Sequence, residues 1–190
     1  MSEYQYYEFC SIQKPLSQQA RQVMQSLSSR AVVGTHGACY IYNYNYGDFR
    51  GNSSELLLKY FDIFFYISNF GCMELSFKFK QSQVNFEQIK AYCIQDIIIC
   101  KEHNSHLLLD ICINNEEGGG WIDGEGLLPK MLTLHDEIIA GNYDILELAA
   151  KIHDKISAGQ SDDLETILKE QGLSLAQQAF FDSVAISTGL

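Results

Sequence analysis

The chain has 190 residues, with 13 Lys and Arg against 24 Asp and Glu and a formal net charge of −11. At 46% apolar and 19% charged residues it can bury a core, which excludes a chain disordered by composition. The acid excess also argues against nonspecific binding to a nucleic-acid backbone, which depends on neutralising phosphates.

The charge is unevenly placed. Residues 1–114 carry 10 acidic and 9 basic side chains, and residues 115–190 carry 14 and 4. The second part therefore reads as a solvated acidic helical surface or one that meets a basic partner. The longest apolar stretch, residues 56–70, is broken by Lys59, Asp62 and Asn69 and falls short of the ~20 residues of a membrane span. The first nine residues show no basic segment followed by an apolar one. Cys10, Cys39, Cys72, Cys93, Cys100 and Cys112 include no CxxC pair, and most sit in apolar runs, as free thiols do in a reducing compartment. A cytoplasmic protein without membrane contact is expected.

Residues 4–12 are aromatic and roughly alternating, which predicts a strand. After Pro15, the spacing of Leu16, Ala20, Val23, Met24 and Leu27 predicts a one-faced helix. A second extended segment starts at Ala31 and places Tyr40, Tyr42, Tyr44 and Tyr46 on one face. Asn52 and Glu55 form a capping-box pattern, and Gly71 reads as a stop. Between them the polar positions 55, 59, 62, 66 and 69 alternate by four and three, which predicts a mostly buried central helix over 53–70.

Residues 73–80 alternate, with Met73, Leu75, Phe77 and Phe79 on one side and Glu74, Ser76, Lys78 and Lys80 on the other. A short helix is expected around 86–92, then a hairpin of 95–103 and 106–114 turning at Asn104-Ser105. That turn pairs Ile98 with Ile111 and Cys100 with Leu109. A glycine-rich acidic loop, 116–126, closes the sheet region. Helical stripes follow, through Leu128, Met131, Leu132 and Ile138, and through Ile145, Leu148, Ala149 and Ile152. Ser174 and Gln177 have capping-box spacing at the start of the last helix.

Three stretches carry a family resemblance. They are Tyr6-Tyr7-Glu8-Phe9, then Leu27-Ser28-Ser29-Arg30-Ala31, then Tyr46-Gly47-Asp48-Phe49-Arg50-Gly51 followed by Tyr60-Phe61-Asp62 and Ser68-Asn69-Phe70-Gly71. Together they resemble an uncharacterised bacterial family with a Tyr-Tyr-Glu-Phe signature and a Gly-Asp-Phe-Lys/Arg-Gly turn. The run from Gly120 through Trp121 to Gly126 and that from Leu134 to Tyr143 are similar to it too. The likeness spans roughly residues 4–150, and Phe70 stands where the pattern has tryptophan. It implies kinship and a bacterial setting, with no activity attached.

The candidate binding residues are Tyr42, Tyr44, Tyr46, Asp48, Arg50 and Trp121. The 46–51 turn can present Asp48 and Arg50 ahead of a helix N-terminus that favours anions, or can be a structural turn. It fits neither a P-loop nor a dinucleotide fingerprint, so no cofactor is expected. The tyrosine ladder can stack bases, with Lys78, Lys80 and Arg50 as the positive patch, or pack across strands. His103 and His106 flank the hairpin turn without a metal-binding motif around them, and the acidic loop lacks EF-hand spacing. Asp110 is a carboxylate in an apolar run and is read first as lying on an edge-exposed face; if its face is instead covered, its pKa rises and it becomes a candidate acid or base.

The expectation is an α+β domain over 1–126, with a mostly antiparallel sheet of about five strands on the helix 53–70. Residues 127–190 are expected as helices packed on it or appended to it. The leading functional expectation is a non-catalytic binding or assembly protein, whose partner is another protein or a second copy. The alternatives are a small hydrolase or transferase built on Asp48, Arg50 and Asp110, and single-strand nucleic-acid binding by the tyrosine face.

Overall fold

The computed structural model describes residues 3–43, 49–115, 121–160, 164 and 172–188. Among these, in chain order, come β1 (Tyr4–Cys10), α1 (Gln18–Leu27), β2 (Val32–Val33), β3 (Gly37–Asn43) and α2 (Ser53–Tyr60). They are followed by β4 (Ile63–Ser68), β5 (Cys72–Lys80), α3 (Phe86–Lys90), β6 (Ile98–His103) and β7 (His106–Asn114). The chain then runs through α4 (Leu128–Met131), α5 (Thr133–Ile139), α6 (Asp144–Ser157) and α7 (Leu175–Thr188). The strands form one antiparallel α+β sheet in the order β2-β3-β1-β4-β5-β7-β6.

Alternation along the strands sends side chains into two separate cores. Tyr6, Phe65, Leu75, Phe77, Leu109 and their row-mates pack against α4 to α7. Phe9, Tyr40, Tyr42 and Phe64 face the other way, onto Met24 of α1 and Leu56 and Leu57 of α2. The alternation read along β5 and the hairpin register are both present: Ile98 faces Ile111 and Cys100 faces Leu109. Asn104 takes a left-handed φ of 52° in the two-residue turn, as such hairpins require. At the start of α7, Ser174 N–H donates to Gln177 Oε1 (3.1 Å) and Gln177 N–H to Ser174 Oγ (3.2 Å), closing the capping box.

The segment 53–70 corrects the expected central helix. Asn52 does cap a helix, accepting from Glu55 N–H at 3.0 Å, but α2 stops at Tyr60 and the chain continues as β4 in the middle of the sheet. Ile63, Phe64, Phe65 and Ile67 are buried on both faces, so β4 shows no apolar alternation. Its β-branched and aromatic residues suit a strand. Of the polar positions that mimicked a helical stripe, the three beyond α2 serve β1 or the loop after it. Asp62 Oδ2 accepts from Ile12 N–H (2.9 Å), Tyr66 Oη donates to Gln5 Oε1 (3.1 Å), and Asn69 Oδ1 accepts from Tyr4 N–H (2.8 Å). With β4 added and the segment after Ala31 split into β2 and β3, the expected count of about five strands becomes seven.

Candidate functional site

The strands differ in length, and that difference opens a cleft. β5 has nine residues and β4 six, so β5 outruns its neighbour; Lys78 N–H still reaches Asp62 O at 2.9 Å, just before β4 begins. Beyond that point Lys78 and Lys80 stand on the α2 side of the sheet, with His106 opposite Lys80 on β7. The last turn of α2 brings Lys59 and Tyr60, and the loop after β1 brings Lys14, whose carbonyl accepts from Ser11 Oγ at 2.6 Å. These side chains line a cleft of about 260 Å³.

His135 of α5 lines the same cleft from the opposite layer. Its ring stacks on Phe79 (centroids 4.8 Å apart), and Nε2 lies 3.3 Å from Lys78 O. A carbonyl only accepts, so Nε2 carries the proton. Nδ1 lies 3.5 Å from Asp136 Oδ1 but without hydrogen-bond geometry, and this buried atom has no partner among the described residues.

Asp62 is the carboxylate of the cleft, and its charge is already engaged. Its Oδ1 lies 3.4 Å from Lys78 Nζ while Oδ2 takes the Ile12 N–H, and Lys78 also donates to Leu57 O at 3.2 Å. Among the described residues Lys14, Lys59 and Lys80 form no salt bridge. Lys59 Nζ stands 5.1 Å from the centre of the Tyr60 ring, a contact that orients the ammonium without neutralising it. Among the described residues, three cations without an ion-pair partner thus surround one neutralised pair, in a chain of net charge −11.

A second polar group lies on the same sheet face. Ser76 Oγ donates to Glu74 Oε1 at 2.9 Å and also bonds the Asp110 carboxyl across the strand pair. Burial pushes both carboxyl pKa values up; the bond with Ser76 opposes this in each, and Lys101 and His103 further oppose it at Asp110. Cys112, opposite Glu74, is pushed up to about 12 by burial and by the two carboxylates. Asp110 is therefore covered rather than edge-exposed, at 7% accessibility.

The residues singled out in the sequence fall in different places. Tyr40 is fully buried and donates its hydroxyl to Met24 O (3.0 Å), so it has no open face for a base. Tyr42 is also buried, edge-on to Tyr7 with Arg30 5.7 Å from its ring centre. Tyr44, Tyr46 and Asp48, and Glu116 and Glu117 of the acidic loop, lie outside the described residues. Arg50 is exposed and is not among the charges acting on Asp110. Trp121 is 93% exposed. His103 and His106 face each other across β6 and β7, and only His106 lines the cleft; the described residues hold no cluster of three or more His, Cys, Asp and Glu suited to a metal.

Lys14, Lys59, Asp62 and His135 were not legible as one site. They come from four separate segments, and no local spacing joins them. The available signals were the near-neutral charge balance of residues 1–114 and the strand alternation that puts Lys78 and Lys80 on one face. No family model, curated protein or solved structure matches the chain.

Proposed function

We propose that this protein is a binding protein whose basic cleft takes an anionic group, carried by a small ligand or by a partner. One observation carries the reading: Lys14, Lys59 and Lys80 converge without salt-bridge partners among the described residues, although the chain carries 24 acidic side chains against 13 basic ones. Such an arrangement costs like-charge repulsion in the free protein, which a bound anion relieves. The cations meet in a concave site, where low-dielectric walls strengthen their field. The net charge of −11 repels polyanions in bulk, so a single anionic group that fits the cleft is favoured over a nucleic-acid strand. Docking of an anionic side chain from another protein would make the same cleft an assembly point.

The test is thermal unfolding of the full chain with and without simple anions at constant ionic strength. A ligand that binds only the folded state raises Tm with concentration. The triple variant Lys14→Gln/Lys59→Gln/Lys80→Gln is expected to fold, since all three side chains are exposed, and to lose the anion-dependent rise. A wild-type chain whose Tm ignores anions overturns the reading.

A further inference from the structure

We infer that the anion taken by this cleft is a phosphate monoester dianion. The inference rests on the anion-binding reading above and adds the ligand's chemical class. With Lys78 neutralised by Asp62, the cleft presents three ammonium groups that have no salt-bridge partner among the described residues. A lone carboxylate would satisfy one of them. A phosphate monoester carries about −1.5 to −2 charge at pH 7 and three strong acceptor oxygens, one for each ammonium.

The kind of donor points the same way. Among the described residues the lining contains four lysines and no arginine. A planar carboxylate is matched best by the fork of a guanidinium, whereas lysines are point charges on rotatable stems and close around a compact tetrahedral anion from several directions. Neutral donors complete the set. Gln83 Oε1 is taken by Lys80 N–H at 2.9 Å, so the donors left on that side chain are its amide N–H groups.

Size sets an upper bound. About 260 Å³ lies below the ~300–1,000 Å³ of pockets that enclose drug-sized ligands. The enclosed part of the cleft therefore suits a phosphate head group and a few further atoms, and the rest of a larger ligand would lie outside it. The floor is preorganised, because Lys78 Nζ is tied to both Asp62 and Leu57 O. Lys14, Lys59 and Lys80 are exposed at the rim and are free to close on the ligand.

The experiment is isothermal titration of the full chain with inorganic phosphate, phosphoserine, glycerol phosphate, a phosphoserine-containing peptide, succinate and adenosine monophosphate. Phosphate monoesters are expected to bind at least tenfold tighter than succinate, a dicarboxylate of the same charge. Their affinity should fall several-fold from pH 7.5 to 5.5, as the ester takes up its second proton near pH 6. Lys80→Gln and Lys14→Gln should each weaken binding several-fold without lowering Tm in the absence of ligand, since each also relieves like-charge repulsion. Tighter binding of the peptide than of free phosphoserine assigns the ester to a protein partner; equal binding assigns it to a small molecule. Succinate binding as well as phosphoserine overturns the inference and leaves the anion reading standing. Tighter binding of adenosine monophosphate than of phosphoserine, both being phosphate monoesters, upholds the ester class and overturns the size argument alone. No binding of any anion overturns both.

Discussion

Lys78 Nζ lies 3.4 Å from Asp62 Oδ1, with the two side chains only 14% and 26% exposed. This pair joins the end of β5 to the start of β4 and forms the floor of the cleft. Removing one partner of a fully buried pair costs ~3–5 kcal/mol, because the other charge is left without compensation. This pair is partly solvated and its lysine keeps a second acceptor in Leu57 O, so the cost is smaller. Asp62→Asn is expected to lower unfolding stability by about 1–2 kcal/mol in urea titrations. The same substitution removes the negative charge that neutralises Lys78, so anion affinity should rise several-fold. A variant that loses both stability and anion affinity would refute the role assigned to Asp62.

Ser76 sets up a second prediction, because its hydroxyl has one proton and two carboxyl neighbours, Glu74 and Asp110. It can donate to only one of them at a time. Burial pushes both carboxyl pKa values above their unfolded values. The native state therefore binds protons more readily than the unfolded chain. The stability this contributes is fully present below the unfolded carboxylate values near pH 4 and is lost as pH rises through the folded values. In Asp110→Asn the amide N–H donates to Ser76 Oγ while Ser76 donates to Glu74, which satisfies the whole cluster. That variant should gain on the order of 1 kcal/mol at pH 7 and show a flatter pH dependence above pH 4. Chemical denaturation across pH 4–8 checks it; an unchanged slope would place the proton elsewhere.

The parts of the fold that were legible are those whose two sides differ. β5 has one face in the core against α4 to α7 and one lined by Glu74, Ser76, Lys78 and Lys80, so its period of two is printed in the sequence. β6 and β7 inherit their register from a two-residue turn at Asn104-Ser105. β4 was not legible because both its faces are covered, and its apolar run reads equally as a buried helix. Asp62, Tyr66 and Asn69 completed that illusion, although each is placed by contact with β1 or the loop after it. The covering of Asp110 was legible only as a condition, since nothing near it in sequence says that this face of the sheet is closed over. The cleft was the least legible part, as it exists only where β5 outruns β4 and five other segments close around the gap.

Cysteine chemistry supplies the third prediction. Cys93 is exposed, whereas the other five thiols are partly buried. Burial pushes Cys10 up to about 11 and both Cys100 and Cys112 up to about 12, with the same direction at Cys39 and Cys72. Thiolates are the reactive form, so these five should lag behind Cys93 in reaction with an aromatic disulfide reagent at pH 8. One fast thiol is expected, at least tenfold ahead of the rest, and Cys93→Ser should abolish the fast phase. Peptide mapping after brief alkylation identifies the site. The neighbouring Cys100 thiol interacts with Cys93, so its own rate reports whether that edge of the sheet stays closed once Cys93 is blocked. Labelling of Cys112 as fast as Cys93 would mean that the face over Glu74 and Asp110 opens in solution, and the raised pKa values of those carboxyls would then lose their cause.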